Sequence, residues 1–543
     1  MRKTFLLLTI GLLLASCQNL EPVDLLITHA KIYTVDEDFS VTQAIAIKDG
    51  KIVATGTRDA LARTYEPKER IRANGKFIYP GFIDAHAHLY GMGLSMQEVD
   101  LSGAKSYAEV VERTRKFNEE NPTDYISGRG WDQNLWEDKN FPSKEALDEV
   151  FPDTPVVLTR VDGHALLANS AAMRLADFDE NTKIDGGQIL WKDGEPTGVF
   201  IDAAMGLIRK HKPAPSRQDQ IRALQLAQEK VFSYGLTTIN DAGLQKEVIL
   251  LIDSLQKENN YPLRIYAMIS SSDPESLDYF LDQGIYKTDG LSVRSAKVFT
   301  DGALGSRGAA LREPYSDDPH NYGLTLISKE DFTKLSKRLA DANFQMNSHA
   351  IGDSANHVVL TVYKEALKDK TDARWKVEHA QILSPEHFAY FSDNIIASVQ
   401  PTHATSDMPW AESRLGADRI KGAYAYQDIL RHGKRLALGT DFPVEKVNPM
   451  YTFYSAVARQ DHDGNPAGGF MPEQRLTREQ TLRGMTIWAA YSNFEEEEKG
   501  SLEAGKFADF IMMDEDLMEV DISEIPNIKV QETYIGGKRV YKK

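Results

Sequence analysis

Eight short apolar runs, separated by segments long enough to form helices, occupy the middle of this chain. Runs of this length followed by helical segments are typical of strands in parallel βα units. Eight of them match a closed (β/α)8 barrel of the TIM type, in which chemistry is carried at the carboxyl ends of the strands. The sequence therefore predicts an α/β fold with such a barrel, and its candidate strands are Ile78–Asp84, Leu236–Asp241, Leu263–Ile269, Ser292–Phe299, Phe344–Asn347, Trp375–Glu378, Ile396–Gln400 and Arg435–Gly439.

Both ends of the chain contain further short β-runs. Asp49-Gly50 is a hairpin signal near the N-terminus, and Gly536-Gly537 marks a turn near the C-terminus. Neither end has enough strands to bury a face alone, so we expect them to combine into one small β-sandwich. The predicted division is a sandwich from residues 24–77 and 496–543, a barrel from 78–495, and a lobe inserted at about 90–235 after the first barrel strand.

The first 20 residues are typical of an export signal. Two basic residues precede the apolar run Phe5–Leu14, which is too short to span a bilayer. The run ends at Leu14-Ala15-Ser16-Cys17, and Cys17 is the only cysteine of the chain. This ending resembles the bacterial lipoprotein signal, in which cleavage precedes a cysteine that then receives lipid. We predict a signal peptide over residues 1–16, a tether over 17–23 and an exported lipoprotein anchored at Cys17, in the outer membrane or facing the periplasm. The alternative is a plain secretory signal with an incidental cysteine.

Charge composition narrows the class of partner. Of 543 residues, 63 are basic and 80 acidic, and no basic cluster interrupts the net charge of −17. Because nucleic-acid binding requires neutralisation of phosphates, we expect a small-molecule substrate instead, with a homodimer left open. The single cysteine excludes a disulfide within the chain. The acidic run Glu495–Glu498 is expected to be a solvated connector.

Four histidines stand at the ends of predicted strands. His86 and His88 are two residues apart, so they share a face at the end of the first strand and could hold one metal ion. His349 ends the fifth run and His379 the sixth. Each of these histidines taken singly could equally be a buried, hydrogen-bonded core residue, and the metal interpretation depends on their occurring together.

Two further strand ends carry ionisable residues. Lys297 lies inside an apolar strand, where an unpaired lysine is rare. It could pair with Asp301 or another carboxylate, or desolvation could lower its pKa so that the amine reacts with carbon dioxide to give a metal-bridging carbamate. Asp441 ends the eighth run and could be a turn former or a metal-contacting general base.

Several longer motifs resemble one family. The chain is similar, from about Leu25 to its C-terminus, to the amidohydrolase superfamily, and within it to the amidohydrolase 3 branch that includes N-substituted formamide deformylase. The motifs that carry the resemblance are Pro80-Gly81-Phe82-Ile83-Asp84-Ala85-His86-Ala87-His88, the stretch 297–307, Ser348-His349-Ala350-Ile351-Gly352-Asp353, Glu378-His379-Ala380, Gly439-Thr440-Asp441-Phe442-Pro443 and the stretch 500–509.

The resemblance implies a binuclear metal site, most often of zinc, with manganese or iron as alternatives. His86 and His88 would bind the more buried ion and His349 and His379 the second. Carboxylated Lys297 would bridge the two ions. Asp441 would touch the metal and accept the proton of the attacking water, and His379 could help to polarise the substrate carbonyl.

The resemblance and the positions of other polar and aromatic residues give a set of candidates for substrate binding. For each of them a packed aromatic or a satisfied loop polar group is the alternative. The candidates are Trp131, Asp162, His164, Asp301, Arg307, Gln400 and His403.

The sequence thus predicts a metal-dependent amidohydrolase that hydrolyses a C–N bond other than a peptide bond, in an amide, N-acyl or N-formyl group. Hydrolysis of an ester or a cyclic imide on the same site is one alternative. A binding lipoprotein that has kept the fold without the activity is another, against which the intact ligand set argues.

Overall fold

The computed structural model describes residues 20–543. The predicted signal peptide and the lipidation site at Cys17 lie outside this range. Within it, no helix combines the length and the apolar character needed to cross a membrane. The described residues form two units, the first comprising the chain through Ala87 together with Val231–Lys543, and the second His88–Lys230.

The described strands fall into three sheets. In chain order they are β1 (Glu21–Tyr33), β2 (Val41–Lys48), β3 (Lys51–Gly56), β4 (Tyr65–Arg72), β5 (Phe77–Pro80), β6 (Phe82–Ala87), β7 (Val99–Asp100), β8 (Ile126–Trp131), β9 (Val156–Arg160), β10 (Ala165–Ala168), β11 (Gly187–Lys192), β12 (Glu195–Asp202), β13 (Leu236–Leu244), β14 (Arg264–Ser270), β15 (Tyr286–Lys287), β16 (Leu291–Phe299), β17 (Gln345–Ala350), β18 (Trp375–His379), β19 (Ile395–Val399), β20 (Leu436–Leu438), β21 (Phe510–Met513), β22 (Val530–Ile535) and β23 (Lys538–Lys542).

The α-helices alternate with the strands through most of the chain. They are α1 (Arg58–Thr64), α2 (Leu89–Ser95), α3 (Tyr107–Glu120), α4 (Glu145–Val150), α5 (Ser170–Met173), α6 (Met205–Arg209), α7 (Arg217–Phe232), α8 (Lys246–Lys257), α9 (Pro274–Gln283), α10 (Lys329–Asp341), α11 (Asp353–Ala366), α12 (Pro401–Asp407), α13 (Ala411–Arg419), α14 (Tyr426–Gly433), α15 (Pro449–Ala458), α16 (Arg478–Gly484) and α17 (Ile487–Ser492).

Eight parallel strands form a nearly closed barrel in the first unit, which confirms the predicted fold class. Their order is β6-β13-β14-β16-β17-β18-β19-β20. The strands are buried on both faces, as expected for a parallel sheet covered by helices. Parallel strands present their carboxyl ends at one rim, so the residues that end them are brought together there.

The N- and C-terminal strands pair with each other. They form one eight-stranded sheet, in which β21 runs antiparallel to β5 and β4 pairs with β1. The cores on its two faces differ in composition. One includes Ile27, Ile45 and Phe510, and the other includes Leu26 and Ala44. Alternating side chains of β1 therefore supply both faces.

The second unit has its own sheet and its own core. Its six strands are ordered β11-β12-β10-β9-β8-β7. One apolar cluster includes Trp131 and Leu158, and another includes Phe200 and Leu166. Since each cluster is formed by residues of this unit alone, the insertion has a core of its own.

The expectation that Glu495–Glu498 is a solvated connector is wrong for its first residue. Glu495 is only 4% exposed and forms an ion pair of 3.1 Å with the equally buried Lys499. Glu498 reaches Lys287 at 2.6 Å. A run of like charges predicts solvation only where no cation is folded against it. Here Lys499, directly after the run, pairs with Glu495, and Lys287, distant in the chain, pairs with Glu498.

Candidate metal centre

His86, the penultimate residue of the first barrel strand, β6, is fully buried. Its Nδ1 donates to Oε2 of Glu378 over 2.7 Å, and its Nε2 lies 2.9 Å from Nζ of Lys297 and 3.6 Å from Oδ1 of Asp441. Burial lowers the pKa of the His86 imidazole. The carboxylate at Nδ1 fixes the tautomer in which Nε2 carries the lone pair that a metal requires.

His88 is the residue directly after β6 and lies two positions beyond His86 in the chain. Although His88 opens the second unit, the single residue Ala87 ties it to the barrel strand. Potential ligand atoms of His86, His88 and Asp441 all lie within 4.8 Å of one another. The structure therefore brings the two predicted histidines and the carboxylate together.

Lys297 is 1% exposed and lies two residues before the end of β16. Burial lowers the pKa of its amine. Among the described residues no carboxylate lies within ion-pair distance of its Nζ, and the ion pair with Asp301 considered above does not form. A desolvated amine without a bonded counter-ion has more of its neutral, nucleophilic form at neutral pH than an exposed lysine has.

His349 and His379 complete the cluster of imidazoles. Their ring centroids are 4.6 Å apart, and that of His379 lies 5.0 Å from that of His86. Burial lowers the pKa of both, that of His349 to about 3. Nδ1 of His379 donates a hydrogen bond over 2.7 Å to Oε1 of Gln400, which leaves the lone pair on Nε2.

Asp441 follows β20 and meets His403. Nε2 of His403 lies 3.3 Å from Oδ2 of Asp441, and its Nδ1 lies 3.1 Å from Oε1 of Glu445. Burial acts to lower the pKa of this imidazole, but the effect of the carboxylates of Asp441 and Glu445 is larger and raises the pKa of His403 to about 10. Ligand atoms of His379, His403 and Asp441 lie within 4.8 Å of one another.

The backbone is strained at two of these residues. Asp441 has φ 62° and His379 has φ 72°, both in the left-handed region that non-glycine residues rarely adopt. Such conformations cost about 1–3 kcal/mol each and persist where the surrounding structure holds them. Here the amide of Asp441 is held by donating to the carbonyl of His86 over 2.8 Å.

The join between the first and last barrel strands also depends on side chains. Buried Asp84 accepts from the amide of Thr440 at 3.0 Å and from its hydroxyl at 2.7 Å. Burial raises the pKa of Asp84 to about 7. Gly439 is required at this join because a Cβ there would lie 2.6 Å from the His86 nitrogen.

The donor set fits divalent metal ions. It combines neutral imidazoles with a carboxylate, which zinc, manganese and iron all accept. Nε2 of His349 is buried, lies 3.5 Å from Oδ1 of Asp301 and forms no hydrogen bond with a residue of the range 20–543. A buried nitrogen of this kind needs a partner, and a metal ion supplies one.

Comparison with known proteins gives the family. A model of the Amidohydrolase family matches residues 69–541. The chain belongs to this family. It is 33% identical over 539 residues to the Arabidopsis thaliana protein LONG AFTER FAR-RED 3, covering 95% of this chain and 91% of the relative. It is 26% identical to N-substituted formamide deformylase of Arthrobacter pascens, covering 96% of this chain and 98% of the relative.

A crystal structure of a metal-dependent hydrolase from Pyrococcus furiosus superposes with a TM-score of 0.78 at 27% identity, covering 91% of this chain and all of the other. The predicted resemblance to the amidohydrolase 3 branch is confirmed, and the chain is a metal-dependent hydrolase.

Three predicted substrate-binding residues of this amidohydrolase lie in the second unit. Trp131 is 1% exposed within the core of that unit, and its Nε1 donates to the carbonyl of Leu158 over 2.8 Å. Asp162 pairs with Arg160. His164 lies 2.8 Å from a carboxylate oxygen of Asp202. Their roles toward a substrate stay predictions.

The other four predicted residues lie in the first unit. Gln400 and His403 contact members of the metal cluster, as described above. Arg307 donates to Asp317 at 2.9 and 3.1 Å. Asp301 is buried and accepts from the amides of Ala310, Ile351 and Gly352, which gives it a role in holding loops. Binding of substrate by these residues stays a prediction.

Sequence reasoning missed two carboxylates of the amidohydrolase site, Glu378 and Glu445. The sequence does contain a sign of a polar group here. β18 has the sequence Trp375-Lys376-Val377-Glu378-His379, which places two charges on alternate positions of a buried strand. Lys376 is fully buried with its pKa lowered to about 8 by burial, and its Nζ donates to Asn493 over 2.7 Å. Alternate charges facing a barrel interior indicate an internal polar network.

Proposed function

We propose that this amidohydrolase hydrolyses a C–N bond of an amide or N-acyl group, N-formyl groups included. The observation that carries the proposal is the convergence of buried His86, Lys297, His349, His379 and Asp441 at one rim of the barrel. A relative that is similar over nearly its whole length is named N-substituted formamide deformylase, which favours this bond class over esters.

We propose that the site holds two zinc ions, with manganese or iron as substitutes. His86 and His88 would hold one ion, His349 and His379 the other, and carboxylated Lys297 would bridge them. The lowered pKa of Lys297 supports carboxylation, because the neutral amine is the form that adds to carbon dioxide. When bound, such ions acidify water and polarise a carbonyl oxygen.

Asp441 is the residue we assign to proton transfer. His403 binds its Oδ2, so its Oδ1 is directed toward Nε2 of His86, at 3.6 Å. In this orientation the carboxylate can accept a proton from the attacking water and return it to the leaving nitrogen. Glu445 and the hydroxyl of Ser406, joined over 2.6 Å, hold His403 in place. His403 thereby positions Asp441.

The test replaces Asp441 by asparagine. We expect Asp441→Asn to keep its metal, since the imidazoles and Lys297 remain, and to lose about 10²- to 10⁴-fold in turnover because the proton acceptor is gone. Metal content is measured by elemental analysis, and activity is measured with a panel of N-formyl, N-acyl and ester compounds.

Asp418→Asn serves as the control, since Asp418 is 98% exposed in its ion pair with Lys421. Near-normal turnover of Asp441→Asn would remove Asp441 from this role. Esters cleaved by the wild type in preference to every amide of the panel would overturn the bond class.

A further inference from the structure

A cavity of about 250 Å³ lies at the end of the barrel where the strands begin. Its lining includes Arg294 of β16, Phe344 immediately before β17, and Trp375, the first residue of β18. The residues of the candidate metal centre stand at the opposite, carboxyl ends of the same strands. The cavity is therefore a separate site, which the proposed hydrolysis does not use.

Arg294 has an unusual environment for a partly buried cation. It is the extra residue of a β-bulge, between the pairs Ala267↔Val293 and Met268↔Ser295, and bulges redirect side chains. Its guanidinium stacks on the ring of Phe494, 3.5 Å from the centroid. Within residues 20–543 its side chain forms no hydrogen bond or ion pair, and its Nε is buried without a partner.

The carboxylates around the cavity are already engaged. Asp372 accepts from Arg374 at 2.6 and 3.2 Å, and Glu495 pairs with Lys499. Lys370, which also lines the cavity, donates to the neutral amide oxygen of Asn343 over 2.8 Å and forms no ion pair with a described residue. Asp372 also lines the cavity, but neither Arg294 nor Lys370 forms an ion pair with it or with another described residue.

The remaining walls of the cavity are largely apolar. Phe344 and Trp375 are buried beside it, Leu367 lies at the end of α11, and Ile285 exposes 43% of its surface. A suitable occupant needs an anionic group for the cations and an apolar body for these walls. A planar carboxylate matches the fork of a guanidinium, which favours it over a compact inorganic anion.

We propose that this cavity binds a small organic carboxylate, with its anionic group on Arg294 and Lys370 and its apolar part against Ile285 and Phe494. Binding needs no metal, because none of these four side chains belongs to the metal cluster. The site is a second binding site of the hydrolase, for a ligand that is neither attacked nor released by the catalytic rim.

The first experiment titrates benzoate into the full-length protein after treatment with a chelator, so that no metal ion can capture the carboxylate. Isothermal calorimetry is expected to show one saturable site with a Kd of about 1 mM or tighter. Benzamide, the neutral analogue, and inorganic phosphate are expected to bind at least about tenfold more weakly. Equal binding of benzamide or phosphate, or no saturable binding of benzoate, would overturn the proposal.

The second experiment compares three variants in the same titration. Arg294→Gln is expected to weaken benzoate binding about tenfold or more, and Lys370→Gln about threefold. Lys368→Gln is the matched control, since Lys368 is 61% exposed two residues away and pairs with Glu365. Wild-type affinity in Arg294→Gln, or an equal loss in Lys368→Gln, would contradict the assignment.

Circular dichroism establishes that each variant is folded. If Arg294→Gln does not fold, Arg294→Lys replaces it. The lysine variant keeps the charge but loses the two-pronged geometry, so weaker benzoate binding is expected. Unchanged affinity in both Arg294→Lys and Lys370→Gln would then overturn the proposal.

Discussion

Glu378 is buried completely and has one oxygen bonded to the imidazole that ends the first barrel strand. Its Oε2 accepts from Nδ1 of His86 over 2.7 Å, and neither side chain is exposed. Burial acts to raise the pKa of Glu378, but the contact with His86 and the nearby amines of Lys376 and Lys297 keep this pKa below its usual value. A charged acceptor at Nδ1 orients the ring and makes its Nε2 a stronger ligand.

Replacing Glu378 by glutamine tests this role. We expect Glu378→Gln to weaken metal binding about 10- to 100-fold, because the neutral amide holds the His86 ring less firmly. Competition with a chromophoric chelator measures the affinity directly, apart from any assay of turnover.

Glu365→Gln, at a site that is 76% exposed, is the matched control and should bind metal as the wild type does. A wild-type affinity in Glu378→Gln would show that the carboxylate does not support His86.

The residues of the site differ in whether their place in it could be predicted from the sequence. His86, Lys297 and Asp441 could be predicted to lie together because each ends or interrupts an apolar run of a barrel strand, and the structure brings them together. The alternate charges of β18 indicate only that Glu378 belongs to a polar network. Its bond to His86 could not be predicted, since that bond joins residues 292 positions apart and depends on the width of the barrel interior. Glu445 lies outside any strand, where a carboxylate carries no signal.

At the scale of elements, the first predicted strand shows that an apolar run does not reveal where one strand ends and the next begins. Ile78–Asp84 reads as one apolar run, but the structure divides it into β5 of the terminal sheet and β6 of the barrel. The division falls at Gly81, whose amide donates to the carbonyl of Asp509 over 2.9 Å. A Cβ at Gly81 would lie 2.3 Å from the Thr237 hydroxyl. Both constraints come from residues distant in sequence, so the run alone could not reveal them.

The loop after β16 depends on one buried carboxylate. Asp301 accepts amides at 2.9, 3.0 and 2.8 Å from Ala310, Ile351 and Gly352. We expect Asp301→Asn to lower the free energy of unfolding by about 1–3 kcal/mol, because an NH2 group would face backbone donors that then lose their acceptor. Urea denaturation followed by tryptophan fluorescence measures the change.

Exposed Asp418→Asn again provides the comparison, and it should stay within about 0.5 kcal/mol of the wild type. Equal stabilities of the two variants would contradict the role of Asp301 in holding this loop.

At the scale of the molecule, a buried ion pair joins the barrel to the terminal sheet. Nε and Nη2 of Arg264, in β14, donate to the two oxygens of Asp509 at 2.5 and 2.9 Å. Asp509 directly precedes β21 and also accepts from the amide of Gly536. The C-terminal strands are thereby attached to a barrel strand far from them in the chain.

Removing one partner of this pair should be costly. We expect Asp509→Ala to lose about 3–5 kcal/mol of stability, because it leaves the buried guanidinium without its anion. The double variant Arg264→Met/Asp509→Leu should recover most of this loss. Urea denaturation measures both variants, and a loss below about 1 kcal/mol in Asp509→Ala would show that the pair does not hold the sheet.

The contact of Asp84 with Thr440 closes a loop of 356 residues. Contacts between residues so distant in sequence form late, since much of the intervening chain must be ordered first. His86 and Asp441 flank this contact, so these two side chains come together only when the first and last strands of the barrel meet. A nascent or partly unfolded chain therefore carries these side chains without the arrangement that the closed barrel gives them.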